Sequence, residues 1–284
     1  GADGDIFKGD TAQPVAVGFT PQADLVREMA LARAESEKAA QLKAAQQMAA
    51  REAASCGVNW TFAPMIDVCR DPRWGRIAES LGEDPFLASV LGVAMLRGFQ
   101  GSDLGQPDAI AACAKHFAGY GAVEAGRDYA AANVPENELH NVHLRPFRAA
   151  VEAGVATLMT SFSEVDGVPA TASERLVRRI LKDEWGFAGL VVSDWDSVRQ
   201  LGIHGLTADD RESARAAVAA AVDMEMHGDA YIAQLPSLVR SGEVDAGLID
   251  AAVRRILRVK FRLGLFERPY TEPADFPPIG SEDA

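Results

Sequence analysis

Short apolar runs alternate with longer helix-favouring segments along most of the chain. The apolar runs, which predict strands, lie at residues 14–19, 59–65, 109–117, 156–162, 189–195 and 221–226. The segments that predict helices lie at residues 84–100, 136–153, 173–184, 208–220 and 245 to about 263. Because no hairpin signals separate the runs, the alternation predicts an α/β fold with a parallel sheet, most readily a (β/α)8-like TIM barrel. Six strands are predicted where a complete barrel has eight, so we expect the first strands to be incomplete or rebuilt.

The N-terminal part of the chain differs from this alternating region. Residues 21–55 are rich in Ala, Glu, Gln, Lys and Arg, with no Gly or Pro from Gln22 to Cys56, which predicts one long helix or a helical pair. We therefore expect three parts: an atypical N-terminal strand and helix segment at 1–47 that packs on a barrel, the barrel itself at 48–267, and a Pro-rich tail or linker at 268–284.

Composition and charge narrow the classes of partner. The 284 residues carry a net charge of −13, which disfavours binding to nucleic acid or to anionic membranes and suits a neutral small-molecule substrate. No apolar run is long enough to cross a membrane, and the first residues lack the pattern of a signal peptide, so a soluble protein of open compartment is expected. Cys56, Cys69 and Cys113 fit no zinc spacing; we expect no metal site, and buried free thiols rather than disulfides.

The run at 189–195 ends abruptly in Ser193, Asp194 and Trp195. This pattern is typical of a buried parallel strand that delivers an acid and an aromatic ring to its carboxyl end, where the chemistry of α/β barrels takes place. A carboxylate can attack a sugar, and an aromatic face can stack on its ring. Spacing alone leaves Asp196 as an alternative acid, although Asp194 lies nearer to the strand end.

Basic side chains follow two other predicted strands. The loop at 70–76 contains three arginines and a tryptophan; Arg76 is the candidate for binding hydroxyls, whereas Arg70 and Arg73 are interpreted as structural. Lys115 and His116 end the run at 109–117, where both can turn towards a ligand, although a lone histidine is often a core residue. The next loop adds Arg127 near the same rim. For the remaining polar residues at strand ends, a structural role is at least as strongly indicated as a catalytic one; these residues are Glu164, Asp166, Asp223, Glu225 and His227.

Four motifs, at 63–76, 82–85, 114–117 and 189–195, together resemble glycoside hydrolase family 3, in its β-glucosidase and β-xylosidase branch. The resemblance runs from about residue 48 to residue 270 in the family's own order. The sequence Lys-His-Phe-Ala-Gly-Tyr-Gly at 115–121 differs from the Lys-His-Phe-Pro-Gly-His-Gly loop of the β-N-acetylhexosaminidase branch, which argues against that branch.

The resemblance implies a retaining, exo-acting β-glycosidase that hydrolyses terminal β-linked sugars without a cofactor. Asp194 matches the nucleophile, which forms a covalent glycosyl-enzyme. Residues that match those holding the sugar hydroxyls are Arg76, Lys115, His116 and Arg127, and Trp195 matches the aromatic residue beside the nucleophile.

The resemblance also implies a division of labour. Members of this branch take the general acid/base from a second α/β-sandwich domain and a substrate-binding Asp from their first strands, and neither is matched here. The alternative is therefore an impaired barrel fragment or engineered chimera that binds sugar or serves as a scaffold. Self-association, or an acid/base domain supplied in trans, would complete such a fragment. Family members are often periplasmic or secreted.

Overall fold

The computed structural model describes residues 21–272, 274 and 276–281. The chain divides into two compact units, Gly1–Glu37 and Lys38–Ala284. Of the first unit, the structure describes the helical backbone from residue 21 onwards. The predicted strand at 14–19 lies outside the described residues.

Helices and strands alternate through the second unit. The α-helices are α1 (Pro21–Ser55), α2 (Pro85–Gln100), α3 (Glu136–Glu138), α4 (Arg145–Glu152), α5 (Gln200–Ile203), α6 (Asp210–Ala219), α7 (Ala230–Arg240) and α8 (Ala246–Arg262). Leu139–His143 and Glu174–Glu184 are π-helices, and the 3₁₀ turns are Ile77–Glu79, Tyr120–Ala122, Glu124–Gly126 and Ala170–Ala172. The strands are β1 (Cys113–Phe117), β2 (Thr157–Thr160), β3 (Glu164–Val165), β4 (Val168–Pro169), β5 (Leu190–Trp195) and β6 (Met224–Met226).

The main sheet is parallel, with strand order β1-β2-β5-β6. The predicted strand at 59–65 is present only as an extended segment that joins β1 through two bridges, Trp60 to Ala111 and Met65 to Lys115. Pro64 has no N–H to donate, so this segment cannot form a continuous ladder. The prediction of a regular strand there was wrong, but the segment takes the place beside β1 that the alternation indicated.

The last strand is shorter than the predicted run at 221–226. Ala221 has a φ of +71°, a left-handed turn conformation that ends helix α6, and β6 begins only at Met224. The predicted run at 221–226 therefore includes a turn as well as the strand that follows it.

The prediction that no hairpin is present was also wrong. Strands β3 and β4 form a small antiparallel hairpin closed by Asp166 and Gly167, whose φ angles are +53° and +77°. Two consecutive positive φ angles are typical of a type I′ turn, and Asp-Gly is a strong sequence signal for it.

Two helical segments differ from the helices predicted by the apolar pattern, and both contain a proline. The predicted helix at 136–153 is divided into α3, a π-helical turn and α4, with Pro146 in the first turn of α4. Proline cannot donate to the preceding turn, so a continuous ladder is interrupted. Helix α7, which contains Pro236, was not predicted at all.

The sheet separates two apolar layers. Cys113, Met159 and Val192 lie on one face, with Trp60, Met224 and Met226 against them. The intervening strand residues face the helices in the largest core cluster, which contains Ala112, Ala114, Leu158 and Val191. This alternation follows from the two-residue period of a strand. It buries β1, β2 and β5 on both faces, whereas β6 at the edge of the sheet is half-buried.

Candidate active site

Chemically active side chains meet at the carboxyl ends of neighbouring parallel strands. His116 lies in β1, Asp194 lies near the end of β5, and Asp67 follows the extended segment at 59–65. Parallel strands bring their carboxyl ends to one edge of the sheet, which explains why His116 contacts both Asp67 and Asp194 although all three are far apart in sequence.

Asp194 is a buried carboxylate, with 7% of its surface exposed. Its Oδ1 accepts a hydrogen bond of 2.6 Å from the backbone N–H of Trp195. Its Oδ2 lies 3.6 Å from Nε2 of His116 and has no hydrogen-bond partner among the described residues. One oxygen is therefore held in place while the other is free to react.

The electrostatic surroundings of Asp194 act in two directions. Burial raises the pKa of the Asp194 carboxyl above its ordinary value. The opposing influences, all of which lower this pKa, are His116 when its ring is doubly protonated, the N–H of Trp195, and the charges of Arg76 and Lys115. Burial thus favours the protonated carboxyl, and Arg76 and Lys115 keep it ionised over more of the pH range.

His116 is held by a second buried carboxylate, Asp67. Oδ2 of Asp67 accepts from the backbone N–H of His116 at 2.8 Å and lies 2.8 Å from the ring Nδ1. The ring of Tyr120 packs edge-on against the imidazole at 5.2 Å between centroids. The imidazole orientation is therefore fixed from two sides.

Arg76 is half-buried and is aligned by its neighbour Glu79. Its Nε and Nη2 donate to the two carboxylate oxygens of Glu79 at 2.6 and 2.9 Å, a bidentate pair that raises the pKa of Arg76. The guanidinium lies 5.6 Å from the centre of the Tyr120 ring. The Tyr120 hydroxyl in turn donates to Asp128, so the position of Arg76 depends on a connected network.

Lys115 and Trp195 complete the group around Asp194. The Lys115 ammonium makes no hydrogen bond or ion pair within the part of the chain that the structure describes. The Trp195 ring is 56% exposed and stacks on the imidazole of His227, with 3.8 Å between centroids and 15° between planes. A cation and an aromatic face are both available to a ligand at this edge.

Arg127 is placed differently from the other predicted site residues. It is exposed, and its backbone N–H donates to the carbonyl of Glu124 at 3.1 Å. Among the described residues, its guanidinium makes no hydrogen bond or ion pair with Asp194. The next two residues are connected to the site. Asp128 accepts a hydrogen bond from the Tyr120 hydroxyl. The pKa of Tyr129 is raised by burial, by the charge of Asp128 and by the charge of Asp194.

Sequence reasoning missed Asp67, Tyr120 and Tyr129. Each has a recognisable position, because Asp67 follows the extended segment, and the two tyrosines lie in the loop after Lys115 and His116 that was singled out for Arg127. The sequence does not show which side chains of this loop face the sheet.

The open polar residues of the sequence have structural contacts. Asp223 accepts hydrogen bonds from Lys182 at 3.1 Å, Arg255 at 2.7 Å and the N–H of Val191 at 2.9 Å. Glu225 accepts from the first backbone N–H groups of α7. These contacts hold strands to helices away from His116.

The remaining candidates lie in turns and surface pairs. Glu164 lies 3.7 Å from His204, and Asp166 forms the hairpin turn described above. Asp196 has a φ of +58° and donates its backbone N–H to Met226 at 2.9 Å. The two other arginines of the 70–76 loop form ion pairs, Arg70 with Glu138 and Arg73 with Asp71.

Two further expectations concern cysteines, metals and membranes. Cys69 and Cys113 are buried, but Cys56 is exposed, so the expectation of three buried thiols was wrong for that residue at the end of α1. In residues 21–272, 274 and 276–281, His, Cys, Asp and Glu form no group that could hold a metal ion. None of the helices described there is long and apolar enough to cross a bilayer.

Comparisons with known proteins identify the family of the chain. The glycosyl hydrolase family 3 N-terminal domain matches residues 10–259. A periplasmic β-glucosidase of Salmonella typhimurium is 40% identical over 82% of this chain and 31% of its own length. A β-xylosidase of Formosa agariphila is 36% identical over 93% of this chain and 36% of its own length. The crystal structure of a β-glucosidase from Listeria innocua in complex with glucose aligns with a TM-score of 0.81 and 43% identity, covering 82% of this chain and 33% of that one.

Fold and comparisons together define the class as a TIM-barrel-like α/β domain with a polar site at the carboxyl ends of its strands. The chain belongs to glycosyl hydrolase family 3 and corresponds to the family's N-terminal domain. It spans about a third of the length of the relatives it matches. The family match begins at residue 10, inside the expected N-terminal segment, and the boundaries at 47 and 267 stay predictions.

Proposed function

We propose that this chain is the catalytic barrel of a retaining, exo-acting β-glycosidase, with Asp194 as the nucleophile. One observation carries the proposal: a buried carboxylate at the end of β5 has one oxygen fixed and the other without a hydrogen-bond partner among the described residues. The names of the relatives, β-glucosidase and β-xylosidase, support terminal β-linked glucose or xylose as the substrate class.

In the proposed mechanism, Oδ2 of Asp194 attacks the anomeric carbon, and the bond to the leaving group breaks as the glycosyl-enzyme bond forms. The N–H of Trp195 keeps the carboxylate in line through Oδ1. Water later attacks the same carbon and regenerates Asp194. The carboxylate must be ionised for the first step, and the neighbouring cations favour that state.

Arg76, Lys115 and His116 would hold the hydroxyls of the bound sugar. Arg76 is already fixed by Glu79, so it offers an oriented guanidinium at little entropic cost. Arg127 would join them from its loop, and the exposed face of Trp195 would stack on a sugar ring.

The general acid/base is assigned by family resemblance to a second domain. A saccharide is the proposed ligand, in agreement with the acidic net charge, which disfavours nucleic acid. The periplasmic relative supports a periplasmic or secreted location. Self-association and an acid/base domain in trans stay predictions.

Covalent labelling tests the proposal without requiring a general acid. The full chain is incubated with 2,4-dinitrophenyl 2-deoxy-2-fluoro-β-D-glucoside, whose leaving group departs without protonation, and the labelled peptide is identified by mass spectrometry. We expect one label, on Asp194, and none in D194N. The control D196N should label like the wild type.

Two results would overturn the assignment. A label on another residue would move the nucleophile, and no label on a folded protein that binds glucose in calorimetry would favour a sugar-binding barrel without turnover.

A further inference from the structure

We infer that Asp67 is a positioning residue that holds the proton of the His116 ring on Nδ1 and leaves Nε2 as a hydrogen-bond acceptor beside Asp194. The part of this inference that concerns sugar binding rests on the proposed function. The proton on Nδ1 follows from the geometry of the site, and the neutral state of the ring belongs to the inference.

The first step concerns the oxygen that joins Asp67 to His116. Oδ2 of Asp67 accepts from the backbone N–H of His116, a group that can only donate. The same oxygen lies 2.8 Å from Nδ1 of the ring, and a carboxylate oxygen accepts hydrogen bonds. The short contact therefore needs a proton on Nδ1.

The second step concerns the opposite ring nitrogen. With Nδ1 protonated in the neutral ring, Nε2 carries a lone pair. Nε2 lies 3.6 Å from Oδ2 of Asp194, which is itself an acceptor without a partner among the described residues. Two acceptors side by side do not bond to each other. Nε2 can accept a hydrogen bond from a hydroxyl of a sugar held over Asp194, which leaves Oδ2 facing the anomeric carbon.

The third step is that Asp67 is itself firmly held. It is 2% exposed, and its backbone carbonyl accepts from the Ser80 hydroxyl at 2.9 Å. The preceding N–H, of Ile66, donates to the carbonyl of Lys115 at 2.9 Å, which ties the Asp67 backbone to β1 directly before His116. Asp67 thus belongs to the same rigid edge of the sheet as the histidine it orients.

The state of the ring can be read directly by nitrogen NMR. Long-range proton–nitrogen correlation on the ¹⁵N-labelled chain separates the Nδ1–H tautomer, the Nε2–H tautomer and the imidazolium, and the His116 signals are assigned by their loss in H116Q. We expect Nδ1–H in the ligand-free protein at neutral pH. Either of the other two forms would overturn the inference.

Two variants test the role of the oxygen. D67N keeps an oxygen that can accept both hydrogen bonds, so we expect the Nδ1–H signature to persist and the second-order labelling constant to stay within about tenfold of the wild type. D67L removes the acceptor; we expect loss of that signature and a labelling constant lower by about 10–100-fold, by analogy with residues that orient metal-binding histidines.

The matched control is D223N, which alters another buried carboxylate that contacts Lys182 and Arg255 instead of the site. We expect it to change stability but neither the His116 signals nor the labelling constant. If D67L does not fold, the wild type and D67N still decide the tautomer. If the wild type takes no label, the proposed function fails while the NMR result stands or falls separately; an unchanged His116 signature in folded D67L would refute the role of Asp67.

Discussion

The buried carboxylate of Asp194 weakens the fold around it when it is ionised. Because burial raises the pKa of Asp194 in the folded protein, its ionised form is less favourable there than in the unfolded chain. This destabilisation is absent below the unfolded pKa of about 4 and complete once the pH exceeds the folded pKa. We therefore predict that D194N melts at higher temperature than the wild type at pH 7, by about 2–4 °C for each kcal/mol of relief.

Thermal unfolding at two pH values checks this prediction. The gain should shrink when the pH is lowered towards 4, because the wild-type carboxyl then becomes protonated in both states. D196N, the neighbouring acid that makes no contact with His116 among the described residues, is the control. A D194N protein that is less stable than the wild type at neutral pH would contradict the prediction.

Lys115 provides a second residue-scale prediction, which concerns ionisation of Asp194, the proposed nucleophile. Its charge lowers the pKa of Asp194, so K115Q should raise that pKa further. Labelling needs the ionised carboxylate, and its rate should rise with pH through this pKa. We predict that the acidic limb of the rate profile moves to higher pH in K115Q.

The control for this charge effect is K260Q, which removes an exposed charge from α8. It should leave the acidic limb in place. Loss of a charged hydrogen-bond donor should also weaken glycoside binding in K115Q by about tenfold or more. An acidic limb that stays fixed in K115Q would mean that the Lys115 charge does not act on Asp194.

At the scale of elements, a close approach between α1 and α2 depends on one glycine. A Cβ on Gly98 of α2 would lie 2.5 Å from the backbone oxygen of Lys43 and 2.6 Å from Cβ of Gln46 in α1. Helix propensity favours alanine by at most about 1 kcal/mol, whereas overpacking against backbone costs about 1–3 kcal/mol. We predict that G98A lowers the free energy of unfolding, as measured by denaturant titration.

The matched control is another helical glycine with room beside it. A Cβ on Gly202 of α5 would meet its nearest neighbour, the carbonyl of Thr207, at 3.6 Å, which is ordinary contact. G202A should therefore be neutral or stabilising by up to about 1 kcal/mol. Equal effects of G98A and G202A would show that α1 and α2 are not in close contact at Gly98.

The same elements show where sequence reasoning succeeds and where it stops. β5 was predictable because its continuous apolar run is typical of a strand buried on both faces, and the polar residues that follow it mark the end of that strand. The segment at 59–65 and the helix interrupted near Pro146 were only partly predictable, since a proline removes a hydrogen bond without changing the apolar pattern. Asp166 and Gly167 form an Asp-Gly pair, which by itself predicts a hairpin turn.

The same limit applies to the prediction of the site residues. Residues at strand ends, such as Asp194 and His116, could be singled out because position in a strand fixes position in the fold. Asp67 and Tyr120 could not, because their roles come from contacts between loops that are distant in sequence. The orientation of Arg127 is likewise a property of its loop and was not available from spacing.

At the scale of the whole molecule, we propose that the chemistry is divided between this barrel and a second domain. The chain covers about a third of each relative named above, and the family resemblance places the general acid in a second domain. General acid catalysis supplies roughly 10²–10⁴-fold to glycoside cleavage. The nucleophilic half of the reaction and the acid-dependent half should therefore be separable by the choice of leaving group.

We predict that the 284-residue chain by itself releases 2,4-dinitrophenol from its β-glucoside far faster than it releases 4-nitrophenol or methanol from theirs. A good leaving group needs no proton, whereas a poor one departs only when an acid donates one, so the rate should fall steeply as the leaving-group pKa rises. The measurement is kcat/KM across a series of aryl β-glucosides, with D194N as the inactive control. A series with little dependence on the leaving group would show that a residue of this chain acts as the general acid, and that the barrel is catalytically complete.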